Sequence, residues 1–525
     1  MTKRASGGDH FDAIVIGSGA GGLSAAITMA HGGLRTLVLE AHSLPGGWCH
    51  TFALEGFRFS PGVHYLGELG EGGALRGMFA ELGLGEALSF REMNPDGYDH
   101  LAIGGERFDI PAGGERFRDR LHARFPRERR GIDRYLRRVD RVFRDLRRSR
   151  PGTGAKALLS TAVRAPNLAL HGLRPTAGLI RRHARDPLLQ AILGIRAGNH
   201  GVAPSRVPFA QHVAIEGHYR EGAWYPRGGG SAIPKAMIRR LRELGGEIRL
   251  RAEVDEILVD GTGRHARAEG LRLVDGEELR APILVSNADA HRTYLSLVGR
   301  EHLPARLLRK LHRTPHSVSA VSLFLGIDMD LAAAGFDSGN WWIQRGPDVE
   351  ETYRYAARAD LPGAGDPPGV FLSFPTLKDP SIRRDGLHTA EAFAFVSREA
   401  FRPFDHTEHA RRGIAYEEFK ADLSERIMRR IETVAPGIGS RVVFSALGTP
   451  LTNEHFLLGT NGSLYGPEKT AQWIGPFAYP METPVGGLFH CGASTLGHGV
   501  MGVVGSGMLA GGRALARAGR ALSVT

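Results

Sequence analysis

The chain has 525 residues, of which 42% are hydrophobic and 23% are charged, as expected for a globular protein of two or three domains. Its two cysteines exclude a disulfide scaffold and a cysteine-rich metal site. The first twelve residues contain no apolar run, and the uncharged stretch 485–512 is interrupted by ten glycines. We therefore expect no signal peptide, no transmembrane span and a cytoplasmic location.

The segment 12–47 has the pattern of a βαβ unit that binds a dinucleotide. An apolar run at 13–16 predicts a buried parallel strand, and the sequence Gly-x-Gly-x-x-Gly follows at once. Residues 23–31 predict a helix, and residues 35–39 predict a second strand that ends in Glu40. A strand, a glycine turn, a helix and an acid at this spacing are much more specific than the glycines alone.

Each residue type in this unit has a physical reason. Gly17 permits the tight turn out of the strand, and Gly19 lets the backbone approach a pyrophosphate without a Cβ in the way. Gly22 lets the helix pack closely on the strand, and the free N–H groups at the helix start attract phosphates. Glu40 is placed to accept hydrogen bonds from a ribose diol, and it disfavours NADP because a carboxylate repels a 2′-phosphate.

A second glycine turn and a glycine-rich C-terminal segment favour FAD over NAD. Gly46 and Gly47 follow Glu40, where the backbone would approach the cofactor again. The run from Gly492 to Gly507 leads from a short apolar strand into a small-residue helix, whose first N–H groups can hold a phosphate or a flavin edge. No second Gly-x-Gly-x-x-Gly for NADPH is present, so the electron donor or acceptor stays open. We expect these residues to contact FAD: Gly17, Gly19, Ala20, Gly21, Gly22, Glu40, Ala41, Gly46, Gly47, Trp48, Val63, His64, Val254, Asn287, Gly492, Gly499, Val500 and Met501.

The order of predicted elements indicates an α/β fold with a Rossmann-type, glutathione-reductase-like FAD-binding domain. We expect this domain to be discontinuous, built from residues 10–70, 229–290 and 484–520. Residues 71–228 are predicted to be mostly helical and basic, as a membrane-facing lid, and residues 291–483 are predicted to form an inserted α+β substrate domain. The inserted domain is expected to contain three strands and a long helix: 318–327, 369–374, 392–396 and 416–434.

The net charge of +11 is concentrated in one region, because residues 116–150 contain 15 Arg against 5 Asp and Glu. Apolar residues recur there at helical spacing: Ile132, Tyr135, Leu136, Val139, Phe143 and Leu146. Two i,i+4 ion pairs are expected on the opposite face: Asp133–Arg137 and Asp140–Arg144. Two interpretations stay open for this region and for the Leu-rich residues 155–182 that follow. One is a packed helix with a solvated basic face, and the other is a surface that docks on anionic lipid. No nucleic-acid-binding motif accompanies the charge, so we expect no nucleic-acid partner.

Three further stretches carry a resemblance to a known family: 46–52 (GGWCHTF), 61–67 (PGVHYLG) and 222–229 (GAWYPRGG). Together with the glycine motifs, they make nearly the whole chain resemble the phytoene desaturase and carotenoid isomerase group of FAD-dependent oxidoreductases. Within that group it is most similar to the retinol saturases. The resemblance implies a flavoprotein that binds a hydrophobic polyene, which would enter from a membrane through a tunnel. Members of the group saturate, desaturate or isomerise C=C bonds.

The resemblance also brings the loop 62–67 near the flavin and makes His64 and Tyr65 the candidate catalytic residues. A His titrates near neutral pH, and a Tyr can donate a proton in otherwise apolar surroundings. The alternative for His64 is that it fixes the loop by hydrogen bonding or packs on the flavin. His50 and His498 are open between the same two roles.

Four other residues near these motifs are expected to be structural. Trp224 and Tyr225 are expected to line the substrate cavity, and Cys49 and Cys491 are expected to be small buried residues. No metal site is expected, because the only suggestive pattern is a His-x-x-His at 406–409 in a loop.

Reduction of a polyene C=C bond is the first hypothesis for function, with hydride from the flavin and a proton from the protein. Desaturation or cis–trans isomerisation is the alternative on the same fold, because flavin chemistry runs in both directions. An amine oxidase and a non-catalytic lipid-binding flavoprotein are the remaining alternatives.

Overall fold

The computed structural model describes residues 10–149 and 152–521. The absence of a signal peptide was predicted chiefly from residues 1–9, which lie outside this part of the chain. The α-helices are α1 (Ala20–His31), α2 (Ala74–Glu81), α3 (Gly114–Arg124), α4 (Arg129–Arg148), α5 (Gly154–Arg164), α6 (Pro166–His171), α7 (Thr176–Arg181), α8 (Pro187–Gly194), α9 (Phe209–His218), α10 (Ala232–Glu243), α11 (Ala305–Arg313), α12 (Glu350–Ala356), α13 (Pro375–Lys378), α14 (Ile414–Glu432), α15 (Pro450–Leu457) and α16 (Gly499–Arg517). The strands are β1 (Ala13–Ile16), β2 (Thr36–Glu40), β3 (Phe52–Leu54), β4 (Phe57–Phe59), β5 (Phe90–Glu92), β6 (Asp99–Ile103), β7 (Glu106–Ile110), β8 (Trp224–Pro226), β9 (Glu247–Leu250), β10 (Val254–Asp260), β11 (Arg267–Leu273), β12 (Glu278–Arg280), β13 (Ile283–Ser286), β14 (Ser319–Ile327), β15 (Asn340–Gln344), β16 (Gly369–Ser373), β17 (His388–Val396), β18 (Val442–Gly448) and β19 (Leu488–His490).

The first strand lies at the centre of a five-stranded parallel sheet with the order β19-β13-β1-β2-β9. Both faces of this sheet are covered by apolar cores. Alternate residues of β1 point to opposite faces, and each set packs into a different core. Val15 joins the core that contains α1, α10 and α16, whereas Ile14 and Ile16 join the core formed with the three-stranded sheet β10-β11-β12. The predicted Rossmann-type α/β domain is therefore confirmed.

Helices α1 and α16 cross at glycines in the core of this domain. A Cβ on Gly507 would lie 2.0 Å from the carbonyl oxygen of Gly21, and one on Gly511 would lie 2.8 Å from that of Ala25. In the described part of the chain, α16 is the one helix that is long and apolar enough to cross a membrane. Its glycines lie directly on α1, so we assign it to the core of the nucleotide-binding domain.

A seven-stranded sheet forms the second large element, in the order β18-β14-β17-β16-β15-β6-β7. Its pairs are antiparallel except for β15 and β6, which run parallel. Helix α14 packs on one face, and α4, α8 and α9 pack on the other. The strands and the long helix predicted for 291–483 are present, with bounds shifted by a few residues.

The prediction for residues 71–228 needs a correction, because β6 and β7 lie within this region and complete the seven-stranded sheet. Gly104 and Gly105 join the two strands as a tight hairpin and both have positive φ, of 59° and 87°. The short strands β5 and β8 also lie in this region and pair with each other, and its remaining regular elements are helices, from α2 to α9.

The basic helix α4 buries the apolar face that the sequence predicts, including Ile132, Tyr135 and Val139. The expected i,i+4 ion pairs are wrong. Asp133 instead lies 3.0 Å from the Nε2 of His122, and Asp140 pairs with Arg220. Contacts from neighbouring elements replace the local pairs, which are worth only about 0.3–0.5 kcal/mol each.

Candidate active site

Two glycine-containing turns, 17–22 and the one at Gly492, meet around the side chain of Asn287, which directly follows β13. A Cβ on Gly19, Gly21 or Gly492 would lie 2.6–2.7 Å from the amide group of Asn287. A Cβ on Gly22 would lie 2.1 Å from the carbonyl oxygen of Gly17. A side chain at Gly22 would collide with backbone, and one at Gly19, Gly21 or Gly492 would displace the amide of Asn287, so the turns form a bare backbone cradle at the ends of the parallel strands.

Two helices begin at this cradle with free N–H groups. Gly19 precedes α1 and His498 precedes α16, and neither helix has a side-chain cap. Each helix start therefore presents unpaired donors and the positive end of its dipole, which is the arrangement that binds a pyrophosphate or a flavin carbonyl.

Glu40 ends β2 beside the cradle, as the sequence predicts. Its Oε2 accepts hydrogen bonds from Ser18 N at 2.9 Å and from Ser18 Oγ at 2.5 Å, and its Oε1 accepts one from His42 N at 3.0 Å. These bonds fix the carboxylate and leave it with lone pairs for ribose hydroxyls. The second glycine turn lies close by, since a Cβ on Gly47 would lie 3.3 Å from the Cα of Gly19.

A cavity of about 680 Å³ extends from this cradle towards the seven-stranded sheet. The residues expected to contact FAD line it, with the exceptions of Gly22 and Val63. Gly22 serves the close packing of α1 on the turn instead. The prediction for Val63 is corrected, because its side chain is buried in the core and packs beneath Gly230. The cradle, the uncapped helices and the fixed carboxylate fit FAD.

The end of the cavity away from the cradle is aromatic. Phe371 and Phe393 stack with ring centroids 4.8 Å apart, and Trp342 meets Phe371 edge-on at 5.1 Å. Tyr65 stacks on Tyr219 at 4.2 Å, and all five residues line the cavity. An apolar, flat-walled space that is continuous with a flavin cradle suits a planar conjugated molecule.

His64 lies in this aromatic end. Its ring packs against the stacked pair Phe371 and Phe393, with centroid distances of 5.1 and 5.7 Å, and its Nδ1 lies 3.2 Å from the Oε2 of Glu391. The Nζ of Lys378 donates a hydrogen bond of 2.6 Å to the carbonyl oxygen of His64, which fixes the loop. Side chain and backbone are therefore both held by buried charged groups.

Glu391 and Lys378 are functional candidates that sequence reasoning missed. Glu391 is 2% exposed in the centre of β17, and Lys378 is 3% exposed in α13. Burial lowers the pKa of Lys378 to about 7, although Glu391 and Asp99 oppose this shift. A usable signal was present, because Glu391 is the single acid in the strand HTAEAFAFV and lies within its apolar part AEAFAFV.

Tyr65, the other candidate catalytic residue, has a hydroxyl that is already engaged. It lies 3.4 Å from Asp99 Oδ2 and 3.3 Å from Asn199 Oδ1, to either of which it can donate. Burial and the charge of Asp99 raise the pKa of Tyr65 well above its usual value, so the hydroxyl stays protonated. Burial also raises the pKa of Asp99 to about 6.

His498 is held as a neutral ring by a second buried histidine. The Nε2 of His200 donates to the carbonyl oxygen of Gln211 at 2.9 Å, so its Nδ1 is an acceptor. The Nε2 of His498 lies 3.2 Å from that Nδ1 and 2.8 Å from the carbonyl oxygen of Asn199. Burial lowers the pKa of His498 well below its usual value. His50 donates from Nδ1 to Gly47 at 2.7 Å and so ties the second glycine turn together.

Trp224 and Tyr225 do not line the cavity, which corrects the prediction that they form its wall. They belong to β8, which pairs with β5, and Tyr225 is buried behind the cavity, where its ring lies 5.4 Å from Lys378 Nζ. Cys49 and Cys491 are free and buried, as expected, and burial raises the pKa of the Cys49 thiol to about 12.

Among the described residues, one group of ligand-type side chains has atoms within 4.8 Å of one another: Asp289, His291 and His316. The carboxylate of Asp289 already accepts hydrogen bonds from three neighbours: His291 N, Arg292 N and Thr460. We therefore assign Asp289 to capping and loop attachment. His409 of the His-x-x-His pattern stacks on His455, with centroids 4.0 Å apart.

Comparison with known proteins identifies the class to which this fold and site belong. A family model described as "Flavin containing amine oxidoreductase" matches residues 20–363. The chain belongs to this family of flavoproteins, and it is an FAD-dependent oxidoreductase.

Curated relatives define its position further. The chain is 30% identical over 481 residues to all-trans-retinol 13,14-reductase of Danio rerio, covering 88% of this chain and 78% of the relative. It is 28% identical over 523 residues to the protein of the same name from Rattus norvegicus, covering 95% and 85%. It is also 28% identical over 525 residues to chloroplastic prolycopene isomerase of Arabidopsis thaliana, covering 97% and 83%.

Solved structures share the fold. An oxidoreductase from Methanosarcina mazei aligns with a TM-score of 0.65 at 18% identity, covering 95% of this chain and 98% of its own. Putrescine oxidase bound to putrescine aligns with a TM-score of 0.64 at 16% identity, covering 97% and 99%. At these identities the likeness concerns the fold alone.

Proposed function

We propose that this flavoprotein reduces a C=C bond of a hydrophobic polyene or isoprenoid lipid. The observation that carries the proposal is the aromatic end of the cavity, where Phe371, Phe393 and Trp342 provide flat apolar walls continuous with the FAD cradle. The names of the relatives support the same substrate class, since they are retinol reductases and prolycopene isomerases.

The roles proposed for the predicted residues follow from their surroundings. The cavity-lining glycines of the cradle would bind the pyrophosphate, and Glu40 would bind the ribose. When bound, FAD supplies a hydride to a substrate carbon. His64 would supply the proton, and Tyr65 would orient the substrate through its ring, since its hydroxyl is engaged by Asp99 and Asn199.

Product masses test the reaction and its direction. The holoenzyme is incubated with a chemical reductant and a panel of all-trans and cis polyenes, and the products are analysed by chromatography and mass spectrometry. A gain of two hydrogens supports the proposal. An unchanged mass with altered geometry indicates an isomerase, a loss of two hydrogens with a quinone or oxygen indicates a desaturase, and peroxide release with amines indicates an amine oxidase.

His64→Gln separates chemistry from binding at this site. Loss of a general acid lowers the rate by about 10²–10⁴-fold. We expect this loss with little change in FAD affinity, because the cradle glycines do not depend on the His64 side chain. A variant that keeps the full rate would remove His64 from the chemistry.

We also propose that the protein contacts an anionic membrane through α5 and α6. Five exposed aliphatic residues lie close together in sequence there and form what we call the apolar patch: Leu158 (41% exposed), Leu159 (70%), Val163 (75%), Leu170 (59%) and Leu173 (40%). Helix α6 packs on α4 and α9, and both of these helices contribute to the cavity wall through Leu146 and Ile215. The patch therefore lies one helix away from the cavity.

Crowded positive charge next to the patch favours a lipid surface as the occupant. Burial lowers the pKa of Arg138, and the neighbouring cations Arg182 and Arg174 lower it further by like-charge repulsion. An anionic bilayer would relieve this repulsion while it covers the patch. The helices of the region 71–228 are thus proposed as the membrane-facing part of a peripheral protein.

Vesicle sedimentation with Val163→Glu tests the membrane proposal. We expect binding to anionic vesicles to weaken at least about tenfold, because lost apolar burial and a new carboxylate near the surface each cost about 1 kcal/mol. Val274→Glu is the matched control, since Val274 is 65% exposed in a different domain. Equal binding by wild type and both variants would contradict the proposal.

A further inference from the structure

We propose that Glu391 is a positioning residue that holds the imidazole of His64 in its protonated form, so that the pair stores the proton given to the substrate. The identity of the proton acceptor rests on the proposed function. The pairing itself depends only on residues of this chain, and it can be measured without substrate.

The geometry of Glu391 leaves one of its oxygens for His64. Its Oε1 accepts a hydrogen bond of 2.6 Å from the backbone N–H of Ser60, whereas its Oε2 is buried without any hydrogen-bond partner. The Nδ1 of His64 lies 3.2 Å from Oε2, and this Nδ1 is also buried without another partner. A proton on the Nδ1 of His64 would satisfy both atoms at once, and the proton that passes to the substrate is then the second one, on Nε2.

The other charged groups described around this pair do not donate a hydrogen bond to the Oε2 of Glu391 in place of His64. Lys378 uses its three N–H groups on three acceptors other than Glu391: His64 O, Asn340 Oδ1 and Ser373 Oγ. Asp99 lies beyond Asn340, and Tyr225 has a pKa raised by burial, so its phenol stays neutral. Asp379 and Arg58 are two further charged groups that, like Glu391, act on Tyr225. Asp379 accepts from Gly228 N, and Arg58 is exposed.

The orientation of His64 leaves its second nitrogen for the cavity. The ring packs against Phe371 and Phe393, and it lines the cavity while Nδ1 faces Glu391. Nε2 is therefore the nitrogen that can meet a substrate carbon. A carboxylate on one ring nitrogen and a reacting group on the other is the arrangement that makes a histidine a directed proton carrier.

The proton step balances as follows. One carbon of the C=C bond takes up a hydride, and with it both electrons, from FAD that a two-electron donor has reduced. The Nε2–H bond of His64 breaks as a C–H bond forms at the other carbon. The imidazole keeps the proton on Nδ1 and is left neutral, and water restores the proton on Nε2.

Hydrogen–deuterium exchange at the imidazole C2 of His64 tests the pair directly. Its rate, followed by mass spectrometry on the FAD-loaded protein, reports the pH at which the ring gains its proton. We expect Glu391→Gln to lower that midpoint by about one pH unit or more, the usual effect of removing an adjacent opposite charge. Glu399→Gln is the control, because Glu399 is 62% exposed on the surface and should leave the midpoint unchanged.

An unchanged midpoint in Glu391→Gln would overturn the proposal. Glu391→Asp is a second variant, used in case Glu391→Gln misfolds. It keeps the carboxylate but places it one methylene further from His64. A midpoint between those of wild type and Glu391→Gln is expected for it, whereas a midpoint equal to that of Glu391→Gln would contradict a role of the charge. If the midpoints shift but no polyene is reduced, the pairing of Glu391 with His64 is supported and the proposed function is contradicted. If polyenes are reduced but the midpoints do not move, only the pair fails.

Discussion

Adding one methyl group at Gly507 should disturb both the domain core and the FAD cradle. In α16, a Cβ at this position would lie 2.0 Å from the carbonyl oxygen of Gly21 and 2.8 Å from the Cβ of Ser24, far below the 3.4 Å at which ordinary contact begins. The obstacle is backbone, so no side chain can rotate away. Gly21 belongs to the dinucleotide turn, and the displacement would therefore reach the cofactor site.

The magnitude follows from two opposing effects in Gly507→Ala. Overpacking costs about 1–3 kcal/mol, and the rigid carbonyl places this site at the upper end. Alanine in a helix regains about 1 kcal/mol over glycine. A net loss of about 2 kcal/mol is expected. Gly512→Ala provides the control on the same helix, because nothing lies within 4 Å of its added Cβ, and it should gain about 1 kcal/mol.

Flavin fluorescence quenching and urea unfolding of the FAD-loaded protein measure the two effects. We expect the unfolding midpoint of Gly507→Ala to fall and that of Gly512→Ala to rise. FAD affinity should weaken by about tenfold or more in Gly507→Ala alone, since 1.4 kcal/mol is a factor of ten. Equal midpoints and affinities in the two variants would refute the close crossing of α1 and α16.

Two further predictions concern buried groups. Burial raises the pKa of Cys49 to about 12 and raises that of Cys491 as well. Neither thiol should therefore react with iodoacetamide at pH 8 until the protein unfolds. Stoichiometric labelling of the native holoenzyme would contradict this prediction. Burial lowers the pKa of His100, but hydrogen bonds to Asp109 and Asp337 outweigh it and raise the pKa to about 9 from 6.5. The protonated ring therefore stabilises the fold fully below about pH 6.5 and loses that contribution as the pH rises through about 9, and Asp337→Asn should flatten this pH dependence in urea unfolding.

The dinucleotide-binding unit could be predicted closely because its signals are local. The expected strand 13–16 is β1, and the helix expected at 23–31 begins three residues earlier, at Ala20. The apolar periodicity, the glycine spacing and the terminal Glu40 all lie within 40 consecutive residues of sequence.

The pairing of β6 with β15 could not be predicted, because it joins Asp99 to Asn340 across some 240 residues. The hairpin itself had a local signal in Gly104-Gly105 between two alternating stretches. Its partner strand, however, is chosen by tertiary packing. Because most elements around β6 and β7 are helices, the sequence of residues 71–228 predicted a helical region separate from the sheet.

The candidate site likewise has a part that could be predicted from the sequence and a part that could not. The glycines that form the cradle are recognisable in sequence because their backbone geometry excludes other residues. Glu391 and Lys378 are not, because their importance comes from burial next to His64, which lies more than 300 residues away in the chain. A single Glu within a strand is visible, but its partner is not.

Anaerobic flavin reoxidation tests the central claim most directly. The holoenzyme is reduced in the absence of oxygen and mixed with all-trans retinol or a carotenoid, and the flavin and polyene absorption bands are followed together. We expect oxidised flavin to return at the rate at which the polyene band moves to shorter wavelength, as one C=C bond is lost from the conjugated system. A flavin that stays reduced while every polyene keeps its spectrum would contradict the proposed reduction.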